Sequence, residues 1–173
     1  MANTNLTRTP ASAGNRQICT YSAWIKISDI ATERCLISAS PDGSNYNAIT
    51  IGRDSGVLRY FEVVSGVATG DVRTSQLFRD VSAWYHIVVA IDSTQATSSN
   101  RIKIYVNGSQ VTSFSLNTVF AQNTNTSFAN NCLHTIGRYA DVSTGYLNGS
   151  MSHVHFIDGT AYDASAFGET DAT

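Results

Sequence analysis

The sequence has few charged side chains and no long apolar run. Only 14% of its 173 residues are charged, the net charge is −2, and lysine occurs only at Lys26 and Lys103. Nucleic-acid binding depends on clustered Lys and Arg side chains that neutralise phosphates, so no nucleic-acid partner is expected. No apolar stretch approaches the roughly 20 residues that cross a bilayer. Residues 1–5 contain neither a basic nor an apolar region, so we expect no secretory signal and no membrane partner.

Cysteine is also scarce, and the number of cysteines is odd. The chain has Cys19, Cys35 and Cys132, at spacings that fit no zinc motif. Three buried, reduced thiols that act as small apolar side chains are the favoured interpretation. One disulfide with one remaining free thiol is the alternative.

In place of charge, the sequence is rich in Ser, Thr, Asn and Gly, which suit strand surfaces and turns better than helices. No segment shows a convincing 3.6-residue apolar repeat, whereas several alternate with a period of two. This pattern predicts an all-β, two-sheet antiparallel sandwich, and residues 1–173 are predicted to form one domain, either alone or as a module of a longer protein. The predicted strands are residues 16–27, 35–39, 47–53, 57–64, 71–78, 84–91, 101–106, 109–114, 132–138 and 146–157.

The clearest local pattern is a hairpin. Residues 101–106 alternate between apolar and polar side chains, and Asn107-Gly108 follows them. These two residue types accept the positive φ angles of a type I′ turn, so residues 109–114 are predicted to return antiparallel. Trp24 and Trp84 lie within strand-like segments and are predicted to be core residues.

The same region carries a family resemblance. Trp84-Tyr85-His86-Ile87-Val88-Val89, with the later Tyr105-Val106-Asn107-Gly108, resembles the laminin-G-like and pentraxin-like branch of the concanavalin A-like lectin/glucanase superfamily. Residues 21–26 resemble its early strand, and residues 136–138 with 147–151 resemble its closing segment. The resemblance spans most of the chain and implies a jelly-roll sandwich.

The two ends carry a narrower resemblance. Residues 6–16 and 155–169 are similar to structural proteins of marine tailed bacteriophages, in which such a domain is usually a module of a fibre, appendage or capsid protein. The resemblance implies a non-catalytic virion module, assembled in the bacterial cytoplasm, that adheres to a glycan or host-surface polysaccharide. Other virion proteins are expected partners, and a homo-oligomer such as a trimer is expected. A purely structural decoration or cementing protein that binds no sugar is the alternative.

A glycoside hydrolase is the less favoured alternative. The glucanases of the superfamily carry Glu-x-Asp-x-x-Glu on one strand, and a retaining mechanism needs two carboxyl groups about 5–5.5 Å apart. This sequence has no such run. Glu169 and Asp171 alternate, but they lie in a tail without a strand pattern. We therefore predict that the chain is not an enzyme.

Metal ligands are equally sparse. His153 and His155 alternate on the last predicted strand, but a zinc or copper site needs further ligands that do not lie nearby in sequence. The resemblance implies calcium as a family ligand, for which Asp92, Asp141 and the loop at Asp42 offer oxygens. Calcium takes 6–8 oxygens and these loops do not cluster acids, so turn capping is favoured. We predict no cofactor, with calcium as the alternative.

Two loops have the side chains of a saccharide site. Such sites combine aromatic faces, which contact sugar C–H groups, with Asn, Asp and backbone hydrogen-bonding groups. One loop contains Asp42, Asn45 and Tyr46, and the other contains Tyr139 and Asp141. We predict that these five residues bind glycan. Ordinary half-buried packing of the two tyrosines is the alternative.

Overall fold

The chain folds as two antiparallel sheets packed face to face, which confirms the predicted sandwich. The computed structural model describes residues 4–169. A large sheet has seven strands in the order β1-β11-β3-β4-β5-β6-β10, and a small sheet has five in the order β12-β2-β7-β8-β9. The strands are β1 Leu6–Arg8, β2 Ile18–Ile27, β3 Arg34–Asp42, β4 Asn45–Gly52, β5 Val57–Val64, β6 Val67–Leu77, β7 Tyr85–Asp92, β8 Ile102–Val106, β9 Ser109–Gln110, β10 Phe114–Thr118, β11 Leu133–Ile136 and β12 Gly149–Asp158.

Helical structure in the described part of the chain is limited to short turns. They are Arg53–Gly56, Ser98–Asn100 and Ala164–Phe167. Between residues 4 and 169, no helix has the length and apolar character needed to span a membrane.

The core forms where the inward-facing side chains of the two sheets meet. In β2, Tyr21, Ala23 and Ile25 alternate with Ser22 and Trp24, so only the first three face the other sheet. β-Branched and aromatic side chains pack well on this pleated surface, and each fully buried aliphatic side chain contributes about 1.5–3 kcal/mol. The largest fully buried side chains are Tyr21, Tyr60, Phe78, Phe120, Phe128, Ile25, Ile27, Leu36, Ile49, Ile51, Leu58 and Ile87.

The predicted hairpin turn is confirmed. Asn107 and Gly108 have φ angles of 48° and 83°, and β8 and β9 pair on either side of them. The Asn107 Oδ1 atom also accepts a hydrogen bond from the backbone N–H of His86, at 2.8 Å. The turn is thereby tied to the neighbouring strand β7.

Replacing Asn107 by Ala is expected to lower the free energy of unfolding by about 1–2 kcal/mol. Alanine tolerates positive φ less well than asparagine, and the His86 N–H loses its acceptor. Urea unfolding followed by circular dichroism measures the effect, with the exposed Ser109→Ala as the control. Equal midpoints for Asn107→Ala and the parent chain would contradict this role for the turn.

The strand that follows the hairpin differs from the prediction. β9 ends at Gln110, and the chain then crosses to the large sheet, where β10 pairs with β6. Val111 and Phe114 both pack against the core. Their spacing of three cannot place both side chains on one face of a regular strand, so the chain leaves the small sheet to bury them.

Other boundaries also differ from the predictions. The predicted loop at residues 66–70 is mostly part of β6, because Ser65 and Gly66, with φ angles of 51° and 76°, complete a tight turn. The last strand, predicted over residues 146–157, has a bulge between Ser152 and His155, where His153 adopts a φ of 49°. The short edge strand β1 was not predicted.

The cysteine prediction is confirmed. Cys19, Cys35 and Cys132 are buried and free. Burial raises the pKa of each thiol, because an apolar environment disfavours the thiolate. All three act as small buried apolar side chains, Cys19 and Cys132 in the core between the sheets and Cys35 on the outer side of the large sheet.

Candidate functional site

The first predicted loop is the turn between β3 and β4. The Asp42 carboxylate accepts hydrogen bonds from the Ser44 N–H at 2.8 Å and from the Asn45 amide at 3.0 and 3.1 Å. The Asn45 Oδ1 atom accepts one from the Ser65 N–H at 2.9 Å. Asp42 and Asn45 therefore shape the turn and connect it to the β5–β6 turn. Tyr46 is the first residue of β4 whose side chain lies on the outer face of the large sheet.

The second predicted loop, residues 138–144, lies against the outer face of the large sheet. The Cys35 N–H donates to the Gly145 carbonyl at 2.9 Å, and the Ala140 N–H donates to the Ser38 hydroxyl at 3.3 Å. Gly145 has a φ of 64°, and a Cβ atom there would lie 2.6 Å from the ring of Tyr139. The Tyr139 ring thus packs on a glycine, with Asp141 exposed further along the loop.

Phe61 brings the two predicted tyrosines together. Its ring contacts Tyr46 at a centroid distance of 5.8 Å and Tyr139 at 6.1 Å, both edge to face. Phe61 is buried on the outer side of β5 with Cys35, Ala48 and Val63, whereas the two tyrosines are half-buried. The three rings form a continuous aromatic group on the large sheet.

A network of charged side chains lies beside the aromatic group on the same face of the large sheet. The Asp71 carboxylate accepts two hydrogen bonds from Arg59, at 2.8 and 2.9 Å, and two from Arg73, at 3.0 and 2.7 Å. Arg59 also donates to Glu33 at 3.1 Å, and Arg73 donates to Asp54 at 3.1 Å. The Arg59 guanidinium lies 4.1 Å from the centroid of the Phe61 ring, within range of a cation–π interaction.

The network favours the ionised forms of Asp71 and Glu33. Partial burial acts to raise the pKa of Asp71, but the hydrogen bonds from Arg59 and Arg73 outweigh it and hold the pKa at about 2. Burial likewise opposes ionisation of Glu33, but the Thr50 hydroxyl and Arg59 lower its pKa overall. Burial and the nearby Glu33 charge raise the pKa of Tyr139.

These pKa shifts bear on catalysis. A glycoside hydrolase needs a carboxylic acid whose raised pKa lets it donate a proton to the leaving group. Glu62 has a raised pKa of about 7, caused mainly by burial. However, its side chain is 1% exposed and lies on the core side of β5, opposite Phe61. Asp71 and Glu33, which do lie on the outer face, favour the carboxylate form. The surface can therefore orient a polar ligand but is poorly suited to protonate one.

The sequence did not identify Arg59, Phe61, Asp71 and Arg73 as site residues. Their proximity depends on strand register, because Arg59 lies opposite Arg73 and Phe61 lies opposite Asp71 in the β5–β6 pair. The alternation of residues 57–64 was a usable signal, since it places Arg59 and Phe61 on the same face. The partner strand was not predictable from that alternation.

The candidate metal ligands are not gathered. Within residues 4–169, no group of three or more His, Cys, Asp and Glu side chains is arranged to hold a metal ion. The Asp92 carboxylate caps its own turn, accepting from Thr94 and Gln95. His155 contacts Phe167, and the Nδ1 atom of His153 lies 2.7 Å from the Ser152 hydroxyl.

The prediction that the two tryptophans are core residues was wrong. Trp24 and Trp84 are 39% and 42% exposed. Trp24 lies between Ala23 and Ile25, which face the core, so its ring lies on the outer face of the small sheet. Hydrophobicity alone misassigned these side chains, because strand alternation determines which face each residue occupies.

Comparisons with known proteins agree with this architecture. Residues 2–164 match the model of a laminin G-type family described as the concanavalin A-like lectin/glucanases superfamily. No curated protein sequence matches the chain.

Three solved structures illustrate the likeness. The SAP-like pentraxin of Limulus polyphemus is 14% identical with a TM-score of 0.58, covering 87% of this chain and 68% of that one. Domain 4 of AbnA, a GH43 extracellular arabinanase of Geobacillus stearothermophilus in complex with arabinotriose, is 14% identical with a TM-score of 0.59, covering 92% and 77%. The carbohydrate binding module CBM66 of Bacillus subtilis is 13% identical with a TM-score of 0.51, covering 91% and 84%. At these identities the likeness shows the fold.

Proposed function

The chain belongs to the concanavalin A-like lectin/glucanases superfamily, and from this membership we propose that it is a non-catalytic module that binds saccharide on the outer face of its large sheet. The observation that carries the proposal is the aromatic group of Tyr46, Phe61 and Tyr139 beside the Arg59–Asp71–Arg73 network. The solved structures of similar fold include a carbohydrate binding module and a domain in complex with arabinotriose, which supports this class of ligand.

The chemistry of the surface suits a sugar. Aromatic rings offer apolar area to sugar C–H groups, and the guanidinium and carboxylate groups offer donors and acceptors to hydroxyls. Because the Arg59 and Arg73 side chains are held by Asp71, little side-chain entropy is lost when they bind a ligand. Asp42, Asn45 and Asp141 lie on the two loops that flank the aromatic group, where they extend the proposed contact area.

The site is tested by titrating the isotopically labelled chain with a saccharide selected on a glycan array. We expect the largest amide shifts in β4, β5 and residues 137–148. Tyr46→Ala and Tyr139→Ala are expected to lower the affinity at least about tenfold, the loss produced by removing a contact worth about 1.4 kcal/mol. Ser109→Ala, which alters an exposed side chain on β9 of the small sheet, serves as the control. Shifts confined to the small sheet would place the ligand elsewhere.

The setting of the module is a separate part of the proposal. We propose that it belongs to a virion, in a fibre, appendage or capsid decoration, on the basis of the sequence resemblance at residues 6–16 and 155–169. These two segments meet in space, where the Asn15 N–H donates to the Asp158 carboxylate at 2.7 Å. Immunogold labelling of phage particles tests the setting, and sedimentation tests the expected homo-oligomer. Labelled capsids combined with a blank glycan array would favour the sugar-free cementing alternative.

A further inference from the structure

We propose a second saccharide-binding surface on the outer face of the small sheet, formed by Trp24, Trp84, His86 and Lys26 with Ser150 and Ser152. It lies on the opposite sheet from the proposed site on the large sheet and does not depend on it. Two exposed tryptophans on one small face are unusual, since large exposed apolar patches usually mark binding surfaces.

Strand register brings these residues together. Trp24 lies opposite His86 on one side and Ser152 on the other, and Lys26 lies opposite Ser150. Trp84 immediately precedes β7 and is 42% exposed, while Tyr85 packs against the core and His86 lies on the outer face. Because Trp24 pairs with His86 and Ile25 pairs with Tyr85, Trp84 follows directly on from this pairing, at the end of the small sheet where Trp24 lies.

The surface is held in a fixed shape. The Trp24 ring stacks on His86 with a centroid distance of 5.1 Å and an interplanar angle of 21°. The His86 Nε2 atom lies 3.0 Å from the Ser22 hydroxyl, and Phe167 packs edge-on against His86 at 6.3 Å. Burial, with a smaller effect of His155, lowers the His86 pKa and so favours the neutral imidazole. A neutral, oriented ring supports the indole without recruiting a counter-ion.

The chain itself forms one wall of the surface. Residues 160–167 cross the other half of the small sheet, where the Thr20 hydroxyl donates to the Thr160 carbonyl at 2.7 Å and accepts from the Tyr162 N–H at 2.8 Å. Ala164 is buried there against Val88 and Ala90. Phe167 ends this covering segment beside His86, which leaves Trp24 and Trp84 uncovered.

The composition favours a neutral saccharide over a protein. Cores of protein interfaces are depleted in Lys and Ser, yet Lys26, Ser150 and Ser152 lie among the rings of this surface. Asp80 lies near enough to Lys26 that the lysine, after the hydrogen bonds from Ser82, contributes to lowering the Asp80 pKa. Lysine and aspartate charges therefore offset each other. Exposed indole faces bordered by hydroxyl groups match a sugar ring, which has an apolar face and a polar rim.

The protein contains its own reporter for this surface. Trp24 and Trp84 are the only tryptophans in the sequence, so tryptophan emission reports on the small sheet alone. We expect neutral oligosaccharides, tested as arabinotriose, cellohexaose and xylohexaose, to quench or shift this emission saturably. Sialyllactose, which is acidic, should act no better than the neutral probes. Tyr139→Ala is expected to leave the change intact, because it lies on the other sheet.

Variants make the test decisive. Calorimetric affinity for the active probe is expected to fall at least about tenfold in Trp84→Ala and to recover partly in Trp84→Phe, which restores a ring. Far-ultraviolet circular dichroism verifies that each variant folds. The proposal is overturned if no probe changes the emission, if Trp84→Ala binds as tightly as the parent, or if Tyr139→Ala abolishes the change. Amide shifts on the large sheet without a change in emission would overturn this inference and leave the first site standing.

Discussion

Replacing Glu62 by Gln is expected to stabilise the protein by roughly 3 kcal/mol at pH 8 and to leave its stability unchanged at pH 4. Glu62 is 1% exposed, and its Oε1 atom has no hydrogen-bond partner. Its Oε2 atom accepts a single bond from Thr69 at 3.2 Å. Opposite it on β4, both side-chain polar atoms of the buried Asn47 also lack partners. A carboxylate is poorly solvated in this environment.

The direction in which the stability changes with pH follows from proton linkage. Burial raises the folded-state pKa of Glu62 to about 7, whereas the unfolded chain ionises near the ordinary value of about 4.3. Between these two values the folded state binds the proton more tightly, so stability falls as pH rises from about 4.3 to 7 and stays low above that range. Glutamine is neutral at every pH and removes this loss.

Chemical unfolding from pH 4 to pH 9 measures the effect, with Glu169→Gln as the control because Glu169 is exposed. The stability curves of the parent chain and Glu62→Gln should converge at low pH and separate above neutrality. A difference that does not depend on pH would show that Glu62 is not buried in the charged state at alkaline pH.

Replacing Asp71 by Asn is expected to cost roughly 2–4 kcal/mol at pH 7 and to abolish binding at the large sheet. The carboxylate accepts four hydrogen bonds from Arg59 and Arg73, whose side chains are only 12% and 20% exposed. Removing the acid leaves two neighbouring guanidinium groups without their shared counter-ion, and breaking a buried ion pair on one side is strongly destabilising.

The pH dependence of the parent chain gives an independent check. The Asp71 pKa of about 2 lies below its ordinary value, so this carboxylate contributes stability above about pH 4 that is lost as the pH falls through 2. Urea midpoints of Asp71→Asn and the parent should therefore converge in strong acid. The control is Glu169→Gln, which alters an exposed carboxylate. A loss below about 0.5 kcal/mol for Asp71→Asn would mean that solvent screens the network, as it does for surface pairs.

The fold was predictable from the sequence because the strands of a sandwich alternate between apolar and polar side chains with a period of two. Residues 57–64 were predicted with the observed bounds, since both faces of β5 are apolar and turn residues flank it. The crossing of the chain from the small sheet to the large sheet at Val111 was not predictable. It depends on where two apolar side chains can be buried together, and no local pattern encodes that choice.

The candidate site was only partly predictable, because it too depends on which segments meet in space. Tyr46 and Tyr139 were selected for their residue type and their position beside turns, and the structure places both against Phe61. Which residues join them depends on the register of β5 with β6. The tryptophans were misassigned because size and apolarity were given more weight than alternation. A stricter count of alternation along β2 places Trp24 on the outer face.

The contact between Asn15 and Asp158 has a consequence for how this fold can be joined to others. The residues that lead into β2 and those that end β12 therefore lie side by side. Domains with adjacent entry and exit tolerate circular permutation and insertion into a loop of another protein.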